Sequence, residues 1–260
     1  MNPYFIYAFV FLVGLAVGSF LNVLIFRLPR KIGFVSGRSF CPSCKNPIAF
    51  YDNIPIFSWL ILGGKCRQCK NRISVRYPAV ELLNGLSWLF FFWRYDLSPE
   101  FFIYSYLASV LIVIFFIDID YQIIPDIITL PGMVLGLGVA FLPGGLTIWQ
   151  SLIGLVVGGG ALYLVAMLGD WIFKKDSMGG GDIKMAAMLG AFLGWQKVIL
   201  IFFGSAVIGT VISLILMVFS RKIRSHRVIP FGPFLAIAAL AAILYGERII
   251  TFYLNHFWRV

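Results

Sequence analysis

Long apolar runs separated by short polar stretches dominate the chain. Eight of them, at roughly 4–26, 79–93, 101–117, 124–142, 151–173, 183–196, 198–219 and 231–254, are candidate membrane spans. A helix needs about 20 mostly apolar residues to cross a bilayer. The runs at 79–93 and 183–196 are the shortest. Strands are not expected, because runs this long and continuously apolar are helical and an open sheet edge in lipid is too costly. The one long polar stretch is 27–77. The pattern predicts an all-α polytopic membrane protein with about eight transmembrane helices and a small polar domain between the first two.

Composition agrees. The 260 residues are 60% hydrophobic and 12% charged, with a mean hydropathy of +0.93. Soluble domains are about a quarter charged. That excludes a soluble globule, and the 17% aromatic content excludes intrinsic disorder. Four cysteines are too few for a secreted disulfide scaffold.

The net charge of +10 could suggest nucleic acid, but its placement gives another reason. Ten basic residues lie in 27–77: Arg27, Arg30, Lys31, Arg38, Lys45, Lys65, Arg67, Lys70, Arg72 and Arg76. Lys174, Lys175 and Lys184 lie near one later loop, and Arg221, Lys222, Arg224 and Arg227 near another. Only Arg94, Lys197, Arg248 and Arg259 fall on the opposite side. Basic residues collect in cytoplasmic loops. The expectation is therefore an N-terminus outside, residues 27–77 in the cytoplasm, membrane lipid as a partner and no nucleic acid. The first run is not read as a cleaved signal, since its basic cluster follows the apolar stretch.

Gly14/Gly18, Gly154/Gly158 and Gly190/Gly194 are spaced four apart within apolar runs, which lets helices approach closely. They read as packing residues, as does Ser205. A serine mechanism would need a base, and the chain's histidines are His226 in a loop and His256 near the C-terminus.

The four cysteines form two Cys-x-x-Cys pairs, Cys41/Cys44 and Cys66/Cys69, separated by 21 residues. A reducing cytoplasm disfavours disulfides. Four thiolates complete a tetrahedral zinc shell with no open position for water, so the metal folds the loop and does not catalyse. The alternatives are two redox pairs or four unliganded thiols.

Ionisable groups at the edge of spans are costly and usually functional. Asp118 follows the apolar stretch 111–117 directly, within Asp118-Ile119-Asp120-Tyr121-Gln122-Ile123-Ile124-Pro125-Asp126. Asp182 closes Met178-Gly179-Gly180-Gly181-Asp182. Two crossings separate them, so both return to the cytoplasmic face. Two carboxylates meeting there share a proton, one activating water while the other acts as acid. The three glycines are expected to provide unusual backbone conformations. The structural alternative is helix capping, with Asp182 as an N-cap. Asp120 and Asp126 read as solvated or capping, and Asp126 after Pro125 suits a helix start. No His-Glu-x-x-His zinc motif is present.

At these aspartate motifs the sequence resembles the type IV prepilin peptidases, a family of GxGD aspartic intramembrane proteases. Gly18-Ser19-Phe20-Leu21-Asn22-Val23, Arg27-Leu28-Pro29, the cysteine pairs, Asn53-Ile54-Pro55, Ser58-Trp59, Arg76-Tyr77-Pro78 with Glu81, and Pro230-Phe231-Gly232-Pro233 extend the likeness along nearly the whole chain. The resemblance implies a multi-pass protein of the bacterial inner membrane. Asp118 and Asp182 would be its catalytic pair, with Gly179, Gly180 and Gly181 in the active-site loop. Its substrates would be prepilins and pseudopilins, cut on the cytoplasmic side. It also implies methylation of the new N-terminus with S-adenosylmethionine, for which Asn53, Asp52 and Glu81 are candidates. A plain alternative pairs Glu81 with Arg76. The expected organisation is a first transmembrane helix (1–26), a cytoplasmic zinc-binding domain (27–77) and a transmembrane aspartic peptidase domain (78–260). The competing classes are a proton-coupled transporter and a non-catalytic platform for pilus assembly.

Overall fold

The structure is a computed structural model that describes residues 3–33, 39–142, 145–174, 178–219 and 230–257. The charges expected at Arg38, Lys175, Arg221, Lys222, Arg224, Arg227 and Arg259, and His226, lie outside the described residues. The described residues are helical, with no sheet beyond two isolated bridges. Each of the eight apolar runs is a helix. They are α1 (Pro3–Arg27), α3 (Arg76–Tyr95), α4 (Pro99–Tyr121), α5 (Asp126–Val139), α6 (Ile148–Phe173), α7 (Gly180–Leu193), α8 (Trp195–Phe219) and α9 (Gly232–Phe257), while α2 (Phe57–Ile61) is a short helix in the polar stretch. Five of them, α1, α4, α6, α8 and α9, are individually long and apolar enough to cross a membrane. At 1.5 Å per residue the 14-residue α5 and α7 reach about 21 Å, short of a bilayer core of about 30 Å. The chain divides into two compact units, residues 1–113 and 114–260, with the boundary inside α4.

In the first unit α1 packs along α3. The expected glycine packing is there: a Cβ on Gly14 would lie 2.9 Å from the Cα of Gly85, and one on Gly18 2.7 Å from the Cα of Glu81. Asn84, fully buried, donates from Nδ2 to the carbonyl of Gly14 at 2.7 Å and accepts from the Ser109 hydroxyl at 2.7 Å. Trp88 Nε1 donates to that hydroxyl at 3.1 Å. One amide thus joins three helices where no water can substitute.

The polar stretch contains two copies of one small device. Cys41-Pro42-Ser43-Cys44-Lys45-Asn46 and Cys66-Arg67-Gln68-Cys69-Lys70-Asn71 share the pattern Cys-x-x-Cys-Lys-Asn. In each, the first cysteine's N–H donates to the asparagine carbonyl, and the lysine's N–H donates back to that cysteine's carbonyl. Both lysines take left-handed backbone, each at φ 59°. A bridge flanks each turn, Phe40 with Pro47 and Lys65 with Arg72.

In the second unit α7 is the central element, with every residue from Met185 to Leu193 buried. It packs against α5, α6, α8 and α9. Against α6 the contact is backbone on backbone. A Cβ on Gly190 would overlap the Gly154 carbonyl, and one on Gly158 the Ala186 carbonyl. Ser151, fully buried, donates to the Ala191 carbonyl at 2.6 Å. Gly194, at φ 80°, ends α7 and lets α8 start at the next residue. Ser205 is fully buried and donates to the carbonyl of Phe202, in keeping with a packing role.

Candidate active site and cysteine centre

Asp118 lies three residues before the end of α4 and is 5% exposed. Gln122, at φ 54°, stops that helix, and an extended link leads through Pro125 to α5. Ile124 in this link is buried. Its side chain faces two glycines: a Cβ on Gly181 would lie 2.9 Å from Ile124 Cβ, and one on Gly232 3.1 Å from Ile124 Cδ1. Gly232 is also against Asp118, and its N–H donates to Asp118 Oδ2 at 3.0 Å. A Cβ there would sit 2.6 Å from that same oxygen.

Asp182 is the third residue of α7. The N-cap is Gly179, so the expectation that Asp182 caps the helix is corrected. Its carboxylate is hydrogen-bonded by the backbone of Gly179 and lies within electrostatic reach of Asp118. Its Oδ1 is buried with no hydrogen-bond partner among the described residues. Each aspartate is therefore held by the backbone of a glycine at the start of a helix, α9 for Asp118 and α7 for Asp182. Helix starts present N–H groups without intrahelical partners, which suit a carboxylate.

The reason for glycine differs from the expectation. Gly179, Gly180 and Gly181 are not among the glycines with positive φ, so special backbone conformation is not the requirement. Space is: a Cβ on Gly181 would lie 2.9 Å from Ile124 Cβ and one on Gly179 3.3 Å from Asp182 Oδ2, whereas a Cβ on Gly180 would meet nothing within 4 Å. Asp126 starts α5 as expected and pairs with Lys184 at 2.7 Å, fastening the start of α5 to the first turn of α7. Asp120 is exposed.

The four cysteine sulfurs lie within 4.8 Å of one another. Cys41 Sγ and Cys69 Sγ are 3.8 Å apart. A tetrahedral site with metal–sulfur bonds of about 2.3 Å sets sulfurs about 3.8 Å apart, so the donor set fits a metal ion such as zinc. The backbone N–H of Cys44 draws the Cys41 thiol down to about 6. The thiol of Cys69 moves the opposite way, up to about 11, so the cluster shares its charge and a metal ion displaces protons as it binds. Across the two knuckles, Asn46 and Gln68 hydrogen-bond through their side chains. Arg67 grips Asp52 with two bonds, 2.8 and 2.6 Å, and holds that carboxyl below its usual range.

Beside the cysteines is a cavity of about 460 Å³, bounded by α1, the polar loop and the first turns of α3. Asp52, Asn53 and Glu81 all line it. Glu81 is 8% exposed, accepts from the Ile56 N–H at 2.8 Å and is hydrogen-bonded by the Ser19 hydroxyl. Among the described residues it makes no ion pair, so the pairing with Arg76 is not formed. Ile56 has φ 62°, rare for a β-branched residue. The motif residues Gly232, Ile124 and Lys184 were visible in the sequence, but nothing there gave them these contacts.

Helices of membrane-spanning length, with two acidic side chains within electrostatic reach of each other beside glycines, define a polytopic membrane protein with an aspartate-bearing site. Residues 12–95 match the bacterial Peptidase A24 N-terminal domain, and residues 105–214 match the type IV leader peptidase family. Proteins named prepilin leader peptidase/N-methyltransferase are similar along most of the chain. The one from Aeromonas salmonicida is 37% identical over 97% of this chain and 95% of its own length. The one from Stutzerimonas stutzeri is 38% identical over 98% and 96%. The one from Myxococcus xanthus is 40% identical over 80% of this chain and 62% of its own. The chain belongs to the type IV leader peptidase family. No solved structure matches it.

Proposed function

We propose that this membrane enzyme removes the leader peptide of type IV prepilins and pseudopilins, and methylates the new N-terminus with S-adenosylmethionine. The observation that carries the peptidase reading is that Asp118 and Asp182 lie within electrostatic reach of each other, each held by a glycine backbone. One carboxylate takes a proton from water as the oxygen adds to the scissile carbonyl. The other acid protonates the departing amine, and the pair ends the cycle sharing one proton as it began. Gly181 and Gly232 leave room for Ile124 and for the Asp118 carboxylate to pack where they do.

The even number of crossings between the two aspartates and the basic loop at 27–77 support a cytoplasmic-face site in the bacterial inner membrane, with the N-terminus outside. Cys41, Cys44, Cys66 and Cys69 hold a structural zinc that folds residues 27–77, a loop with too little core of its own. On this reading residues 78–260 carry the peptidase. The cavity beside the cysteines is of a size for the methyl donor. Its carboxylates and Asn53 suit ribose and amino groups, and Tyr51 offers a ring to adenine. S-adenosylmethionine supplies a methyl group on a cationic sulfur.

The test is to incubate the purified protein with a prepilin, with and without S-adenosylmethionine, and to weigh the products. Loss of the leader in both samples and a methyl added only with the donor supports the reading; an uncut prepilin refutes it.

A further inference from the structure

Glu81 is the unusual group in the cavity of the first unit. It is more than nine-tenths buried, and the cavity it lines has room for a ligand. Its partners are neutral, the N–H of Ile56 and the hydroxyl of Ser19. The cavity's other candidate acid differs: Asp52 is already matched by Arg67 through two hydrogen bonds. A buried carboxylate with no counter-charge is costly. Two neutral donors offset part of that cost, and a bound cation would offset more.

We propose that Glu81 is the counter-ion for a cationic group of the ligand bound in this cavity, an ammonium or sulfonium. This rests on the methyl-transfer reading above, which supplies two sources of that chemistry. One is the methyl donor itself, which carries both a sulfonium and an amino group. The other is the newly exposed N-terminal ammonium of the cut pilin. Glu81 also has a structural part, since it holds the N–H of Ile56, whose backbone is in the left-handed region. The two roles separate cleanly. Glutamine in its place keeps the size and an oxygen to accept from Ile56, removes the charge, and turns the second oxygen into an amide NH2 that donates to the Ser19 hydroxyl instead of accepting from it.

The experiment uses the full chain in lipid nanodiscs. Wild type and Glu81→Gln are titrated calorimetrically with S-adenosylmethionine, with S-adenosylhomocysteine, and with a pre-cut pilin bearing a free or an acetylated N-terminus. Prepilin cleavage serves as the check on folding. The expected result is unchanged cleavage with binding weakened about tenfold or more for whichever ligand brings the cation. Weakening confined to S-adenosylmethionine assigns the sulfonium. Equal weakening for S-adenosylhomocysteine assigns the donor's amino group. Weakening confined to the free-amine pilin assigns the substrate N-terminus. Glu81→Asp keeps the charge and recovers part of the binding, which also serves if the glutamine variant does not accumulate. Wild-type affinities in Glu81→Gln, or in its absence no gap between Glu81→Asp and Glu81→Ala, overturn the proposal alone. A wild-type chain that binds neither donor nor pilin overturns the methyl-transfer reading, and the proposal with it.

Discussion

Gly232 donates its backbone N–H to Oδ2 of Asp118 at 3.0 Å across 114 residues of sequence. The first residue of the last helix thereby fixes the orientation of an acid near the end of the fourth. The glycine is required by space, because a Cβ would lie 2.6 Å from that oxygen. Gly232→Ala should therefore displace the carboxylate while leaving the helices assembled. A misplacement of about 1 Å can cost about a hundredfold in rate. Prepilin cleavage by the purified variant checks this, and near-normal cleavage would separate Gly232 from the reaction.

The same reasoning ranks the glycines before Asp182. Alanine at Gly181 must displace Ile124, whereas alanine at Gly180 enters open space. Cleavage should fall much further in Gly181→Ala than in Gly180→Ala. Equal losses would mean that the glycines serve backbone freedom instead of clearance.

Gly190 lies backbone to backbone with Gly154, so Gly190→Ala forces α6 and α7 apart. Overpacking of this kind costs about 1–3 kcal/mol. The thermal unfolding midpoint in detergent should drop, while Gly160→Ala, whose Cβ meets nothing within 4 Å, leaves it in place.

Asn84→Leu keeps the branching of the side-chain heavy atoms but leaves the Gly14 carbonyl without its side-chain donor and the Ser109 hydroxyl without its Asn84 acceptor. An interhelical hydrogen bond in a membrane is worth about 0.6–2 kcal/mol. A loss of that order should appear in the same unfolding assay. A more stable variant would show that the amide is no glue.

Metal content tests the knuckles. One zinc per chain is expected by mass spectrometry or metal analysis, and serine at any of the four cysteines should abolish it. Binding needs thiolates, so affinity falls as pH falls. Acid also protonates Asp52, whose carboxyl Arg67 holds low. Stability from that pair is present above the ordinary carboxylate range and is lost as pH drops through the lowered value. Chelator and acid should therefore both increase proteolysis within residues 39–75, and a loop indifferent to both would argue against a metal staple.

Much of this was legible in sequence because apolar runs and charges act locally. Eight runs became eight helices, and the small-residue spacings at Gly14/Gly18 and Gly154/Gly158 became close helix contacts. Boundaries moved where backbone chemistry decides: Gly194 ends α7 at once, and Gly179, not Asp182, caps its start. Contacts between distant segments were not legible. Pro230-Phe231-Gly232-Pro233 reads as a turn before a span, and nothing local says that its glycine meets Asp118. Glu81 looked like an edge charge for Arg76 because the two are five residues apart. The fold instead turns it toward Ile56 and a cavity. The repeated Cys-x-x-Cys-Lys-Asn was in plain view, but its meaning depends on the left-handed lysine in each copy.

The account rests on Asp118 and Asp182 working as one unit, and single substitutions test this most directly. Asp118→Asn and Asp182→Asn, purified from membranes and given a prepilin, should each insert normally and each abolish cleavage. Methylation of a pilin already cut should persist in both, because that chemistry is assigned to the other unit. Cleavage retained by either variant would contradict the shared aspartate mechanism.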